Sequence, residues 1–285
     1  MVIKRTASAL IAVFILTGSL SAAGKDSGVT ELTVGQTANS IFFSVESAMA
    51  FDLYYRQTVG LSILFFASGI VAPQTASKKW EFTTPRSRSI NCASLWGAST
   101  GVLLGLTADF EDMKTQAYTG MAADIAATSS AAWYTSKEYL SVDSLAVINS
   151  GGVWGIYTGF AIMEIADADI RYVPAFMLAG QSAGLAAAFF LAKDEEITQA
   201  RMSAIDLTML FGTGIGYGSA YLAGADKKIR WAAGFIGTTL GAAAGWYATK
   251  DWKAPDNPYR IKAQAASSQN IQQPQFYISL PPFTI

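Results

Sequence analysis

The sequence predicts an all-α protein: four tandem helix-hairpin repeats, about eight helices, packed through Gly/Ala stripes and associated with a membrane. Three observations predict it. A Trp-Gly stretch recurs as Leu95 to Gly101, Val153 to Gly159 and Leu210 to Gly216, with its aromatics Trp96, Trp154 and Phe211 placed 58 and 57 residues apart. Two sets of basic landmarks keep the same step: Arg56, Lys114, Arg171 and Arg230, then Lys78, Lys137, Lys193 and Lys250. Between each member of the first set and the next of the second runs an apolar segment of about 20 residues, a length suited to one long helix. Self-similarity at a fixed period marks a repeat architecture.

The repeat domain covers 38–252, with units 38–86, 87–143, 144–199 and 200–252. In each unit the Trp-Gly stretch lies on the first helix, and the apolar segment forms the second. The first copy is degenerate: a helix is expected from about Ala38 to Tyr55, with Asn39 and Ser40 where the aromatic and glycine should stand. Second helices are expected at Gln57 to Ser77, Tyr172 to Ala192 and Trp231 to Thr249, all apolar enough to span a membrane. Asp124 and Glu46 make other segments poor spans, because an ionised group in mid-bilayer needs a partner or a cavity. Asp52, Asp167 and Asp226 each precede an Arg by four residues, the spacing of a helical ion pair.

Before the repeats, Lys4-Arg5, the apolar run Ala9 to Leu20 and Ser21-Ala22-Ala23 read as an export signal over 1–23, followed by an exposed entry segment, 24–37. An uncleaved anchor is the competing reading of 1–23. After Trp252 the composition turns to Pro, Gln, Ser and Asn, so 253–285 reads as an extended or disordered tail. A signal of this type places the chain in a bacterial cell envelope, facing the periplasm.

Composition narrows the chemistry. Only 14% of residues are charged, against about 25% in ordinary soluble domains. The net charge of −1 gives no electrostatic case for nucleic acid. With no histidine, the commonest general base and metal ligand is missing. The single Cys92 permits neither an internal disulfide nor a thiolate cluster. The expectation is a protein that is not an enzyme and uses no cofactor or metal.

The glycines carry the packing argument. Glycine within a helix costs about 1 kcal/mol relative to alanine, so a helix holding several gains something in return. Residues four apart share a face, so Gly97/Gly101, Gly155/Gly159 and Gly212/Gly216 each form a smooth stripe on a first helix. Gly180/Gly184 and Gly237/Gly241 match them on second helices, and such stripes let two backbones approach closely. Gly212, Gly214 and Gly216 also resemble a phosphate loop, but they lack the strand and turn it requires. Asp109, Glu111 and Asp112 lack the glycine turn of a calcium loop and read as a solvated helix end.

Asn91, Asn149 and Asp206 stand five places before the repeated aromatic. They read as helix N-caps or as polar contacts between neighbouring units; the sharper reading adds Asp124 and makes all four the lining of a polar path. Trp96, Trp154 and Phe211, with Trp133-Tyr134, Phe189-Phe190 and Trp246-Tyr247, either fill holes between units or form an interfacial aromatic belt. Basic residues do not choose a side of the membrane: six fall in the within-unit connections and seven in those between units. A soluble helical repeat is therefore the alternative to a membrane-embedded one.

The expected function is a membrane-associated structural or assembly scaffold of the envelope. Its partners are membrane lipids and either a second copy or an envelope protein reached through the tail. A channel or carrier, and a soluble periplasmic lipid-binding module, are the alternatives. Solute flux lost on Asp206→Ala would favour the carrier, and release by carbonate with bound lipid the module.

Overall fold

The computed structural model describes residues 27–108, 112–135, 140–194 and 197–252. The expected signal (1–23) and tail (253–285) lie outside them, as do Asp109 and Glu111 of the acidic cluster and Lys137. Among the described residues the protein is all-helical, without strands. Its helices are α1 (Ser27–Ala50), α2 (Tyr55–Ala76), α3 (Thr84–Thr107), α4 (Met113–Tyr134), α5 (Val142–Ala166), α6 (Val173–Asp194), α7 (Gln199–Leu222) and α8 (Lys227–Ala248), with a 3-10 turn at Ile170–Tyr172 before α6.

Local chemistry sets the ends. Thr83, Ser141 and Thr198 cap α3, α5 and α7, each side-chain oxygen accepting from the backbone N–H three residues on. That satisfies one of the N–H groups a helix start leaves unpaired. Asp112 and Asp226 cap α4 and α8, accepting from the backbone N–H of Lys114 and of Ile229. Pro85 and Pro174 fall in first turns, where no N–H is required of them.

Adjacent helices pair as α1 with α2, α3 with α4, α5 with α6 and α7 with α8, and these contacts are the most extensive in the molecule. Each earlier helix then meets the next pair: α1 meets α3 and α4, α3 meets α5 and α6, and α5 meets α7 and α8. The hairpins thus follow one another in a row. At the turns inside hairpins, Asp52, Asp167 and Gly224 adopt left-handed backbone, with φ of 50°, 56° and 73°. Aspartate and glycine tolerate that region where most residues do not.

This geometry corrects the expected helical ion pairs. Asp52 and Asp167 stand outside the helices, so neither can meet a basic residue across a helical turn. Asp52 pairs with Lys114 of the next hairpin, holding that ammonium above its usual range. Arg171 pairs at 2.8 Å with Asp169, whose carboxyl it holds below the usual range. Asp226 spends its side chain on capping Ile229 N–H at 2.8 Å.

A second correction concerns the entry. Residues 27–37 are helical rather than an exposed lead-in, and Leu32 within them is buried. Their Thr, Gly and Val content gives weak intrinsic helicity, but tertiary contact overrides propensity. Arg88 on α3 pairs with Glu31 at 3.0 Å, and Gly28 lies so near the Phe82 carbonyl that no Cβ would fit.

Three segments are long and apolar enough to cross a membrane: Gln57–Ala76, Val142–Ala166 and Ile170–Ala192. The second helix of the fourth hairpin, expected to join them, is not among them. Lys227, Lys228 and Arg230 occupy its first turn, and the rest is rich in Gly, Ala and Thr. In its place stands α5, whose Val, Ile, Phe and Met residues make it more apolar than the other first helices α1, α3 and α7.

Candidate functional site

Among the described residues no group of three or more His, Cys, Asp or Glu could hold a metal. Several of the polar contacts lie between hairpins. Trp96 on α3 donates its indole N–H to Asn149 Oδ1 on α5 at 2.8 Å, and the Cys92 thiol donates to the same oxygen at 2.9 Å. One hairpin later the arrangement recurs. Trp154 on α5 donates to Asp206 Oδ1 on α7 at 2.9 Å, joined by the Ser150 hydroxyl at 2.5 Å. Cys92 and Ser150 each stand four residues before their Trp, one helical turn away on the same face.

Asn91 makes the first contact of the row. It accepts from Gln36 Nε2 at 3.0 Å and donates to the Glu31 carbonyl at 2.9 Å, both on α1. Asn91, Asn149 and Asp206 therefore face the preceding hairpin, and the N-cap reading gives way. The caps are Thr83, Ser141 and Thr198, each eight residues earlier. At that depth a side chain lies within the helix, where it meets the neighbouring helix instead of its own N-terminal amides.

Asp124 belongs to a separate cluster on α4. It is 3% exposed, and its Oδ1 accepts from Ser94 at 2.7 Å and Thr128 at 3.0 Å, its Oδ2 from Asn39 at 2.8 Å. Glu46 on α1 is buried close by, where Gly120 leaves it room. The four residues grouped as a polar path thus sit in four different contacts, and among the described residues they share no hydrogen-bonding partner.

Within hairpins, the named glycines meet backbone. An ideal Cβ on Gly155 would fall within 3.0 Å of the Gly180 carbonyl oxygen, on Gly180 within 3.0 Å of Gly155 O, and on Gly184 within 3.0 Å of Gly151 O. Gly159 faces Phe176 O in the same way. In the last hairpin Gly212 and Gly237 face each other's carbonyls, while Gly216 faces Ala233 O and Gly241 faces Thr208 O. In the second hairpin Gly97 and Gly101 lie against the Ala123–Ala127 and Thr119–Gly120 stretches of α4.

The aromatics divide. Trp96 is 5% exposed and seated on Gly152, whose missing Cβ makes room for the indole. Phe211 is 62% exposed and has no N–H to donate. Of the second set, Trp133, Phe190 and Tyr247 point outward.

Gln181 escaped the sequence argument. It is fully buried on α6 and joins this helix to α3, donating from Nε2 to Thr100 Oγ1 at 2.7 Å and accepting from Ser99 Oγ at 2.7 Å. Its signal was available: it is the one long polar side chain inside an apolar run of about 20 residues. No family model matches this chain, and neither a curated protein nor a solved structure matches it.

Proposed function

We propose that this is an exported, membrane-associated scaffold of the bacterial cell envelope, built as four tandem helix-hairpin units of about 57 residues and packed through its glycine stripes. The carrying observation is the division of surfaces. Several polar side chains turn inward to join helices, and beside a small buried apolar core many large apolar side chains turn outward. Exposed residues include Ile63, Leu64, Phe66 and Val71 on α2, and Leu207, Leu210, Phe211 and Ile215 on α7. Contiguous apolar surface of this kind marks contact with lipid or with another protein.

The helix starts support the period. α1, α3, α5 and α7 begin at 27, 84, 142 and 199, steps of 57, 58 and 57. Export is supported by sequence features of residues 1–23 alone. The outward Trp133, Phe190 and Tyr247, all near the ends of second helices, fit a belt at the headgroup level. Asn91, Asn149, Asp206 and Asp124 are engaged in bonds between helices, which favours a structural role for them over a solute path. The reading assigns the chain no catalytic step and no cofactor.

Partition tests the membrane part. The protein should stay in the membrane pellet after carbonate washing and require detergent for release. Recovery of intact chain in the aqueous supernatant would overturn the membrane reading. Light scattering in mild detergent tests assembly: a particle containing several chains is expected, and a strictly single-chain particle would remove the assembly part.

A further inference from the structure

A cavity of about 760 Å³ opens between α1, α2 and the C-terminal half of α4. That volume is in the range of small-molecule pockets. It runs lengthwise along the helices. Leu32, Gln36, Asn39 and Phe43 line it from α1, and Phe65, Gly69, Pro73 and Ala76 from α2. At the rise of an α-helix, Leu32 to Phe43 and Phe65 to Ala76 each make a wall about 16 Å long. Because α1 and α2 are antiparallel, Phe43 and Phe65 meet at one end, edge to face at 5.2 Å. The other end is formed by Trp80, Phe82, Arg86 and Trp133.

The two ends differ chemically. The Phe43–Phe65 end has no basic side chain in its lining, and the Asp124 carboxylate of the cavity wall has both oxygens occupied by Asn39, Ser94 and Thr128. It therefore offers little free charge to an occupant. The other end holds a cation. Arg86 lies over the Phe82 ring at 5.1 Å and donates from one terminal nitrogen to the Glu81 carbonyl at 2.8 Å. Its Nε–H is buried and has no hydrogen-bond partner among the described residues. Arg86 as a whole is half-buried and lines the cavity, so an anion there can accept from its guanidinium in a charge-assisted hydrogen bond. Trp80 and Trp133, both well exposed, flank the opening as amphipathic rings do at a lipid headgroup level.

We infer that this cavity is a binding site for an acyl chain bearing an anionic headgroup, the chain lying between α1, α2 and α4 and the headgroup accepting from Arg86. A carboxylate or a phosphate supplies the acceptor equally well, so the source is either a free fatty acid or an anionic phospholipid. In both, the apolar chain occupies a trough walled mainly by Leu32, Phe43, Phe65 and Ile125. The site does not depend on whether the chain assembles.

Full-length protein in mild detergent is titrated with dibrominated stearate, dibrominated phosphatidylglycerol or dibrominated phosphatidylcholine, and saturable quenching of tryptophan emission is read. Saturable quenching is expected with at least one anionic probe and not with phosphatidylcholine; which anionic probe quenches identifies the source. The signal should disappear in the Trp80→Phe/Trp133→Phe variant, which removes the tryptophans lining the cavity. Arg86→Gln should weaken binding about tenfold, the scale of one charge-assisted hydrogen bond. Ser129→Phe with Ala72→Phe, at two exposed lining positions, should fill the trough and abolish quenching while circular dichroism stays unchanged. Equal binding of phosphatidylcholine, or an unaltered affinity in Arg86→Gln, would overturn the anionic assignment. Absence of saturable quenching by any probe, or its persistence in the filled variant, would overturn the site.

Discussion

Replacing Gly155 by Leu should separate α5 from α6 and remove most of the protein's thermal stability. The new Cβ would fall within 3.0 Å of the Gly180 carbonyl oxygen, with the Gly180 carbonyl carbon and Gln181 Cα close behind it. All three are backbone atoms of a helix, so no side-chain rotation relieves the clash and the helices must move apart. Overpacking costs about 1–3 kcal/mol where side chains can shift; with backbone as the obstacle, the cost should be about 3 kcal/mol or more. Separation would also pull Gln181 from Ser99 and Thr100, spreading the damage to the second hairpin. The control is Gly218→Ala on α7, where an added Cβ meets nothing within 4 Å. That change should be neutral or stabilising by up to about 1 kcal/mol, the helix-propensity difference. Melting in detergent, followed by circular dichroism, reads both. A Gly155→Leu variant melting alongside the parent would refute the idea that glycine stripes hold the hairpins closed.

The second large effect is expected at the contact between the second and third hairpins. In Asn149→Leu the buried Trp96 indole loses its acceptor at 2.8 Å and the Cys92 thiol loses the same oxygen. A buried donor left unpaired costs about 1–3 kcal/mol. Trp96→Phe removes the donor together with the part of the indole that rests on Gly152, so its cost includes a cavity as well as the lost bond. In the double variant no indole N–H remains to be orphaned, and the two costs should sum to less than additivity by about 1 kcal/mol. Asn149→Asp keeps the acceptor and copies the Trp154–Asp206 contact, so it should be tolerated. Strict additivity in the cycle would mean that the hydrogen bond contributes nothing and that the contact is one of shape alone.

Much of this architecture is legible in the sequence because helical faces translate spacing into position. Gly155 and Gly159 are four apart and therefore share a face, and the matching pair Gly180 and Gly184 announces the opposing surface. The offset between Asn149 and Trp154 is also visible, but its meaning is not. Five residues on one helix suggest a local relation, whereas each side chain bonds to a different neighbouring hairpin. That assignment needs the direction in which hairpins stack, which periodicity does not encode. The left-handed turns were hidden for a related reason. Asp52 and Asp167 fit a helical ion pair by spacing, and only the position of the helix end excludes it. Residues 27–37 show the limit of propensity, since contacts with α3 hold as helix a stretch whose composition resembles a linker. The cavity at the first hairpin was not legible at all, because its walls come from separate helices.

The hairpins and the joints between them are held by different means, and that difference has a mechanical consequence. Inside the second, third and fourth hairpins two backbones touch along several helical turns, so a bending load meets a stiff plate. Between hairpins the tie is made by side chains: Trp96 and Cys92 on Asn149 with Gln181 on Ser99 and Thr100, and Trp154 with Ser150 on Asp206. Load applied along the row should concentrate strain at these joints and leave the plates intact. The later hairpins should then behave as rigid leaves on compliant hinges, bending relative to one another without unfolding any leaf.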